Sequence, residues 1–321
     1  MRCVDKTPLA IIAVTLAFLA GGFVFPAWLS LMVVSVIAKA LVVMGVIVLM
    51  RSGLVSFGQG LYYCIGGYAI GLGGQLLQIT DIFVLLALAA TAGLVTGGIL
   101  GLVMSRYREI FFAMFSLALS MILYGVLSRT QSLGSTDGFN VAAPTLFGAA
   151  LAVEQAKLLI YVTTCMLAAI AAFVVHRYFR SPMGYAGMAL HNNEIRVEYL
   201  GLAPRTVFYS NYVIAAVAAS LGGAITALNY GHVGPEMAYW SQSGEFIFIA
   251  LMGGTSHVAA AFVGSTVFEL VRTYALELAP NAWRLILGGV LIAIICFLPK
   301  GLWSLTRLAT RKERAAVAET A

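Results

Sequence analysis

Arg51-Ser-Gly-Leu-Val-Ser-Phe-Gly-Gln-Gly-Leu-Tyr-Tyr-Cys-Ile-Gly-Gly-Tyr-Ala-Ile-Gly71 lies between two long apolar runs. It opens on a cation and carries glycines at 53, 58, 60, 66, 67 and 71. Hydroxyl or amide groups stand at Ser52, Ser56, Gln59, Tyr62, Tyr63 and Tyr68. A helix facing lipid would not hold so many polar groups and glycines. A helix start packed closely by neighbours, or bordering a watery cavity, would.

The surroundings set the class. The chain has 321 residues, 61% of them hydrophobic and only 10% charged, where a soluble domain carries about 25% charged residues. Its mean hydropathy is +0.96. Apolar segments follow one another near 9–29, 31–50, 57–77, 82–104, 110–128, 157–176, 206–229, 240–254, 258–275 and 283–299. The expected fold is all-α: a polytopic membrane protein of about ten transmembrane helices in a single transmembrane domain over 1–321. Gly253-Gly254 interrupts the pair at 240–275, so eight spans plus a re-entrant hairpin is the alternative. The apolar run from Pro8 reads as a first membrane helix that stays attached, not a cleaved signal.

Lys and Arg residues give the orientation. With both termini cytoplasmic, only Lys39, Arg129, Lys157, Arg272 and Arg284 of the 19 fall outside or within spans. The net charge of +6 therefore reads as topology, not nucleic-acid binding. The basic tail over 300–321 is placed against the inner leaflet. Cys3, Cys64, Cys165 and Cys296 lack metal spacing and read as small buried hydrophobes.

Gly93, Gly97 and Gly101 share one helix face, and Gly67/Gly71 and Ala219/Gly223 repeat that spacing. Small residues at this interval let helices approach backbone to backbone, as static packing or as a sliding surface. The outside loop, about 129–156, contains Gly134-Ser-Thr-Asp-Gly138; it reads as plain turns or as backbone donors for an anion or a docking protein. The inside loop, 177–205, has a helix start at Ser181-Pro182 and a stop at Gly201 with Pro204 beyond. Between them lie two short helical stretches, too polar to span and too patterned for a linker.

Ionisable residues in lipid are functional candidates by default. Glu269 and Arg272, three apart, are expected to pair on one helix. Lys39 pairs across helices or faces a cavity. Glu245 is expected to cap a helix start, and His257 reads as an interfacial residue or a pH-sensitive gate. Enzyme chemistry finds no support: His-Glu-x-x-His, Gly-x-Ser-x-Gly and the Gly-x-x-x-x-Gly-Lys-Ser/Thr phosphate loop are all missing from the sequence.

Several segments together resemble the permeases of binding-protein-dependent ABC importers, in the branched-chain amino-acid (Liv-type) version, M-subunit kind. They are Gly53-Leu-Val-Ser-Phe-Gly-Gln-Gly with Gly66-Gly67-Tyr68-Ala69; Phe111-Phe-Ala-Met114 with Ser116-Leu-Ala118; Thr136-Asp-Gly138; and the inside loop with Ser181-Pro182, Gly184, Asn193-Glu194 and Leu200-Gly201. Gly234-Pro235, Gly253-Gly254 and Pro299-Lys-Gly-Leu302 complete the order. The resemblance implies a non-catalytic inner-membrane subunit of a bacterial importer for branched-chain or other hydrophobic amino acids. Urea, amides and aromatic or aliphatic carboxylates are alternative cargo. It implies a second permease subunit, two cytoplasmic ATPase chains that bind the ATP, an extracytoplasmic solute-binding protein, and neither cofactor nor metal in this chain.

Under this resemblance Gly184, Asn193, Glu194 and Gly201 belong to a segment that couples to the ATPases. Ser56, Gln59, Tyr63, Phe112 and Ser116 are the candidates for the translocation pathway, and Gly253 and Gly254 for a gate or hinge. Tyr185, Met188 and His191 stand where the family commonly has basic residues, so docking through apolar contact is expected. Serine replaces threonine at 116, and Gly134-Ser135 replaces a paired glycine. The competing reading is a stand-alone ion-coupled transporter using Lys39, His257 and the break at Gly253-Gly254.

Overall fold

A computed structural model describes residues 7–22, 25–146, 148–149, 152–299 and 301–304. The described chain is mostly helical, the fold of a multi-pass membrane protein. The helices are α1 (Thr7–Gly21), α2 (Ala27–Met50), α3 (Gln59–Leu76), α4 (Ile82–Met104), α5 (Glu109–Arg129), α6 (Val153–Phe179), α7 (Pro182–Asn192), α8 (Glu194–Tyr199), α9 (Pro204–Tyr230), α10 (Trp240–Gly253), α11 (Ala259–Leu278) and α12 (Trp283–Phe297). Among the described residues α2, α4, α5, α6 and α9 are each long and apolar enough to cross a membrane. The tail beyond Ser304 lies outside the described residues.

The core forms around α9, which packs chiefly on α2, α3 and α4. Small residues make this possible. A Cβ on Gly66 of α3 would overlap the Ser220 carbonyl of α9, and one on Gly223 of α9 would overlap the Tyr63 carbonyl of α3. The Gly93/Gly97 face of α4 meets Ser220 and Ala216 of α9. Ser220 Oγ donates to the Ala89 carbonyl at 2.7 Å, adding a polar cross-link inside the bundle. The Gly67/Gly71 pair serves another purpose: these two glycines admit Val233, Met237 and the Phe139 ring, which come from loops.

Helices at the periphery keep apolar surface for lipid. Ile110 and Phe111 of α5 and Ile99 and Leu102 of α4 are exposed. Cys64 and Cys165 are buried as expected, but Cys296 is exposed on α12 and is not a core residue.

The long loop between α5 and α6 folds as a strap. It makes a 3-10 turn at Gln131–Leu133, then turns through Gly134 (φ +87°) and Gly138 (φ +65°), both in the region open to glycine. Two residues, β1 (Phe139–Asn140), pair antiparallel with β2 (His232–Val233) after α9. From β2 the chain enters a 3-10 turn, Pro235–Ala238, and then α10. The Ala238 carbonyl accepts from Ser120 Oγ of α5 at 2.7 Å, so this non-helical backbone is satisfied by protein. At about 1.5 Å per residue, the 14 residues of α10 fall short of the ≈ 30 Å hydrocarbon thickness, whereas α11 has 20 residues.

Two charge expectations are corrected. Glu269 does not pair with Arg272; Lys39 Nζ lies 2.6 Å from its Oε2. The pairing crosses from α2 to α11 because both side chains point into the same buried interface. Glu245 is not a cap. α10 begins at Trp240, and Glu245 faces Arg272 Nη1 at 3.9 Å.

Candidate coupling segment and pathway residues

The segment between α6 and α9 is built from its caps. Ser181 Oγ accepts from Gly184 N at 3.2 Å and starts α7 with Pro182 in the first turn. Gly184 is required by contact: a Cβ there would strike the backbone of Tyr178 and Phe179. Asn193 breaks the helix in an extended conformation and caps α8, its Oδ1 accepting from Arg196 N at 3.1 Å. Gly201 ends the segment at φ +83°. Leu190 and Val197 point inward, while Tyr199 (88%) and Leu200 (78%) are almost fully exposed, with Tyr185 and Ile195 beside them.

Two arginines fix this segment to the bundle, and an asparagine ties together the helices beside it. Arg108, at the α4–α5 junction, donates from Nε (3.1 Å) and Nη2 (2.9 Å) to the Glu194 carboxylate. The same guanidinium donates to the Ser105 carbonyl at 2.6 Å and lies 4.0 Å from the Phe208 ring. Arg51, following α2, lies over Phe179 at 3.9 Å and reaches Met188 Sδ. Asn211 of α9 joins Tyr178 of α6 to Ser52 by hydrogen bonds. A cavity of ≈ 330 Å³ beside these attachments brings Gly53 and His191 together with Gly254 and Gly301.

The five pathway candidates gather around the irregular stretch between α2 and α3. Ser116 Oγ accepts from Phe57 N at 3.1 Å, and Ser56 Oγ accepts from Gly58 N at 3.2 Å. Gly60 N donates to Ser243 Oγ of α10 at 2.8 Å. Phe112 meets Tyr212 edge to face, and Tyr63 meets Phe246 likewise. Gln59 is fully buried, and among the described residues neither its amide oxygen nor its nitrogen has a hydrogen-bond partner. Ser56, Gln59, Tyr63, Phe112 and Ser116 are all buried within the chain.

Gly253 and Gly254 end α10 at a crossing of three backbones. Gly254 has φ +92°, and Gly253 packs on Gly264. Leu302 N donates to Met252 O at 2.8 Å and Trp303 N to Gly253 O at 3.2 Å. The motif around Pro299 and Gly301 thus satisfies carbonyls at the end of α10. His257 stacks on Trp303 with ring centroids 4.9 Å apart, and His176 lies 6.0 Å from His257.

The sequence model of one family, described as branched-chain amino acid transport system / permease component, matches residues 27–295. The chain belongs to this family. It is 26% identical over 278 residues to the high-affinity branched-chain amino acid transport system permease protein LivM of Escherichia coli K12. The LivM protein of Salmonella typhimurium LT2 is equally similar. In each case the alignment covers 80% of this chain and 65% of the relative, so the chain spans about two thirds of its relatives' length. No solved structure matches the chain.

For a permease of this family, the residues that sequence reasoning missed are the anchors. Arg108 and Arg51 entered only as cytoplasmic charges, and Asn211 and Ser243 went unnoticed. Arg108 and Glu194 are 86 positions apart, and no helical or strand period relates residues at that separation. A polar side chain in an apolar run was the available signal for Asn211 and Ser243, which are both buried.

Proposed function

We propose that this permease is one of two membrane subunits of a bacterial inner-membrane ABC importer that moves branched-chain or other hydrophobic amino acids. It performs no catalysis. Both termini are cytoplasmic, and separate ATPase chains bind ATP and dock on α7–α8. A second permease subunit completes the pathway, and a solute-binding protein delivers cargo from the other side. Ser56, Gln59, Tyr63, Phe112 and Ser116 belong to the pathway, and Gly253 and Gly254 to its hinge.

The observation that carries this reading is the fixed α7–α8 element, whose exposed side carries large apolar side chains among polar ones. Its exposed Tyr185, Ile195, Tyr199 and Leu200 offer apolar contact to a partner. Its Arg108 clamp passes displacement directly to α5, which bears Phe112 and Ser116. Lys39, on which an ion-coupled reading depends, is neutralised by Glu269.

The test is reconstitution in vesicles with the second permease, the ATPases and the binding protein. ATP-dependent uptake of leucine, isoleucine or valine is expected only from the full assembly. Uptake by this chain alone, driven by an ion gradient, would reject the proposal.

A further inference from the structure

Four charged side chains lie within the bundle where α2, α10 and α11 meet. Lys39 Nζ donates to Glu269 Oε2 at 2.6 Å and lies 5.1 Å from the Phe268 ring. One turn along α11, Arg272 Nη1 stands 3.9 Å from Glu245 Oε2 of α10, too far for a hydrogen bond. That Glu245 oxygen is buried and accepts no hydrogen bond from any described group. Lys39 is within electrostatic reach of Arg272 and Glu245 as well as Glu269.

Two cations and two carboxylates can be matched in two ways. In the arrangement observed, Lys39 holds Glu269 and binds α2 to α11, while Arg272 and Glu245 face each other loosely. In the alternative, Glu269 takes Arg272, three residues along its own helix, where side chains are neighbours. Lys39 is then released to Glu245 and binds α2 to α10 instead. Both arrangements are neutral and leave no charge bare, which is what a buried site demands. They differ in which peripheral helix α2 grips. A purely structural network gains nothing from a buried acceptor left empty, because an unsatisfied buried oxygen is a standing cost. A network with a second register needs one.

We infer that Lys39, Glu245, Glu269 and Arg272 form a two-register charge switch, fastening α2 to α11 in the conformation seen here and to α10 in the other. The four are positioning residues: none need touch cargo. The inference rests on the importer reading, which requires the bundle to alternate between two conformations.

The assembled importer in vesicles tests it, with two variants. Glu245→Gln removes the second register and keeps the Lys39–Glu269 pair, while Arg272 loses its facing carboxylate at a side chain that is 32% exposed. It is expected to insert, assemble and hydrolyse ATP while uptake falls at least tenfold. Lys39→Met combined with Glu269→Leu removes both registers without baring a charge, because Arg272 and Glu245 still face each other. It is expected to melt no lower than wild type yet to lose uptake to the same degree. Spin labels at Trp28→Cys and Tyr274→Cys, both on exposed positions of α2 and α11, read the switch without transport. Their separation is expected to shift when ATP binds the wild-type complex and to stay fixed in Glu245→Gln. Full uptake by either variant, or the same ATP-dependent shift in Glu245→Gln, overturns the switch while the importer reading stands. Wild-type vesicles that take up nothing with all partners present overturn the importer reading, and this inference with it.

Discussion

Arg108 and Glu194 meet through two donors, Nε and Nη2, at 2.9–3.1 Å from one carboxylate. This fork geometry fixes orientation as well as distance. It fastens the first residue of α8 to the start of α5, two elements with few other contacts.

Because the pair is partly exposed, its loss is expected to change stability by no more than about 1 kcal/mol. Its loss of coupling is expected to be larger. Glu194→Gln should melt near wild type and Arg108→Ala somewhat lower, since it also loses the Ser105 carbonyl and the Phe208 ring; both should retain ATP hydrolysis in the complex and lose most ATP-driven uptake. Reversing both charges, Arg108→Glu with Glu194→Arg, should restore part of the uptake. Vesicle uptake alongside detergent melting curves separates the two effects.

Gly66 has no room for a side chain against the Ser220 carbonyl. Gly66→Ala is expected to destabilise the protein by about 1–3 kcal/mol through overpacking, and Gly66→Leu to prevent assembly of α3 on α9. Gly288, whose added Cβ would meet nothing within 4 Å, is the control. Gly288→Ala should leave the melting temperature unchanged or slightly raised, since glycine is a poor helix former.

Gln59 carries two buried amide atoms without partners, a cost of about 1–3 kcal/mol each in a core. Replacement by leucine, close in volume, is expected to leave the protein as stable or more so. If the amide serves passing solute, the same variant loses uptake several-fold. A stable Gln59→Leu with full uptake would return the residue to a packing role.

Trp303 covers His257 and follows the backbone that caps α10. Trp303→Ala is expected to loosen residues 254–258. Labelling of Thr255→Cys by a membrane-impermeant maleimide should accelerate in that variant, and an unchanged rate would show that the two backbone hydrogen bonds suffice.

Much of the framework was legible from the chain because it obeys short-range rules. Gly93, Gly97 and Gly101 marked a packing face by spacing alone. Ser181 and Gly201 marked the start of α7 and the end of α8 by local chemistry, whereas the Asn193 cap between the two helices was not foreseen. What escaped depends on residues far apart. The expected pairing of Glu269 with Arg272 was sound for an isolated helix but lost to Lys39, which another helix brings within 2.6 Å. Glu245 was misread as a cap although the apolar segment was placed from 240: it lies five residues into α10, where Arg272 of another helix faces it. The pathway candidates came from the polar stretch at 51–71 and, through the resemblance, from α5, and the structure joins Ser56 and Ser116 through adjacent amides of one bend.

The position of α9 has a bearing on how the protein is made. It is the least apolar of the five long spans and is mostly buried. Its Asn211, Ser220 and Asn229 hydrogen-bond to groups on other helices or on the stretch after α2. Hydrocarbon offers those groups nothing. The helices that supply their partners, α2 and α4, precede α9 in the chain and are made before it. A lesion in one of those earlier helices would therefore be felt first as polar groups of α9 left without partners.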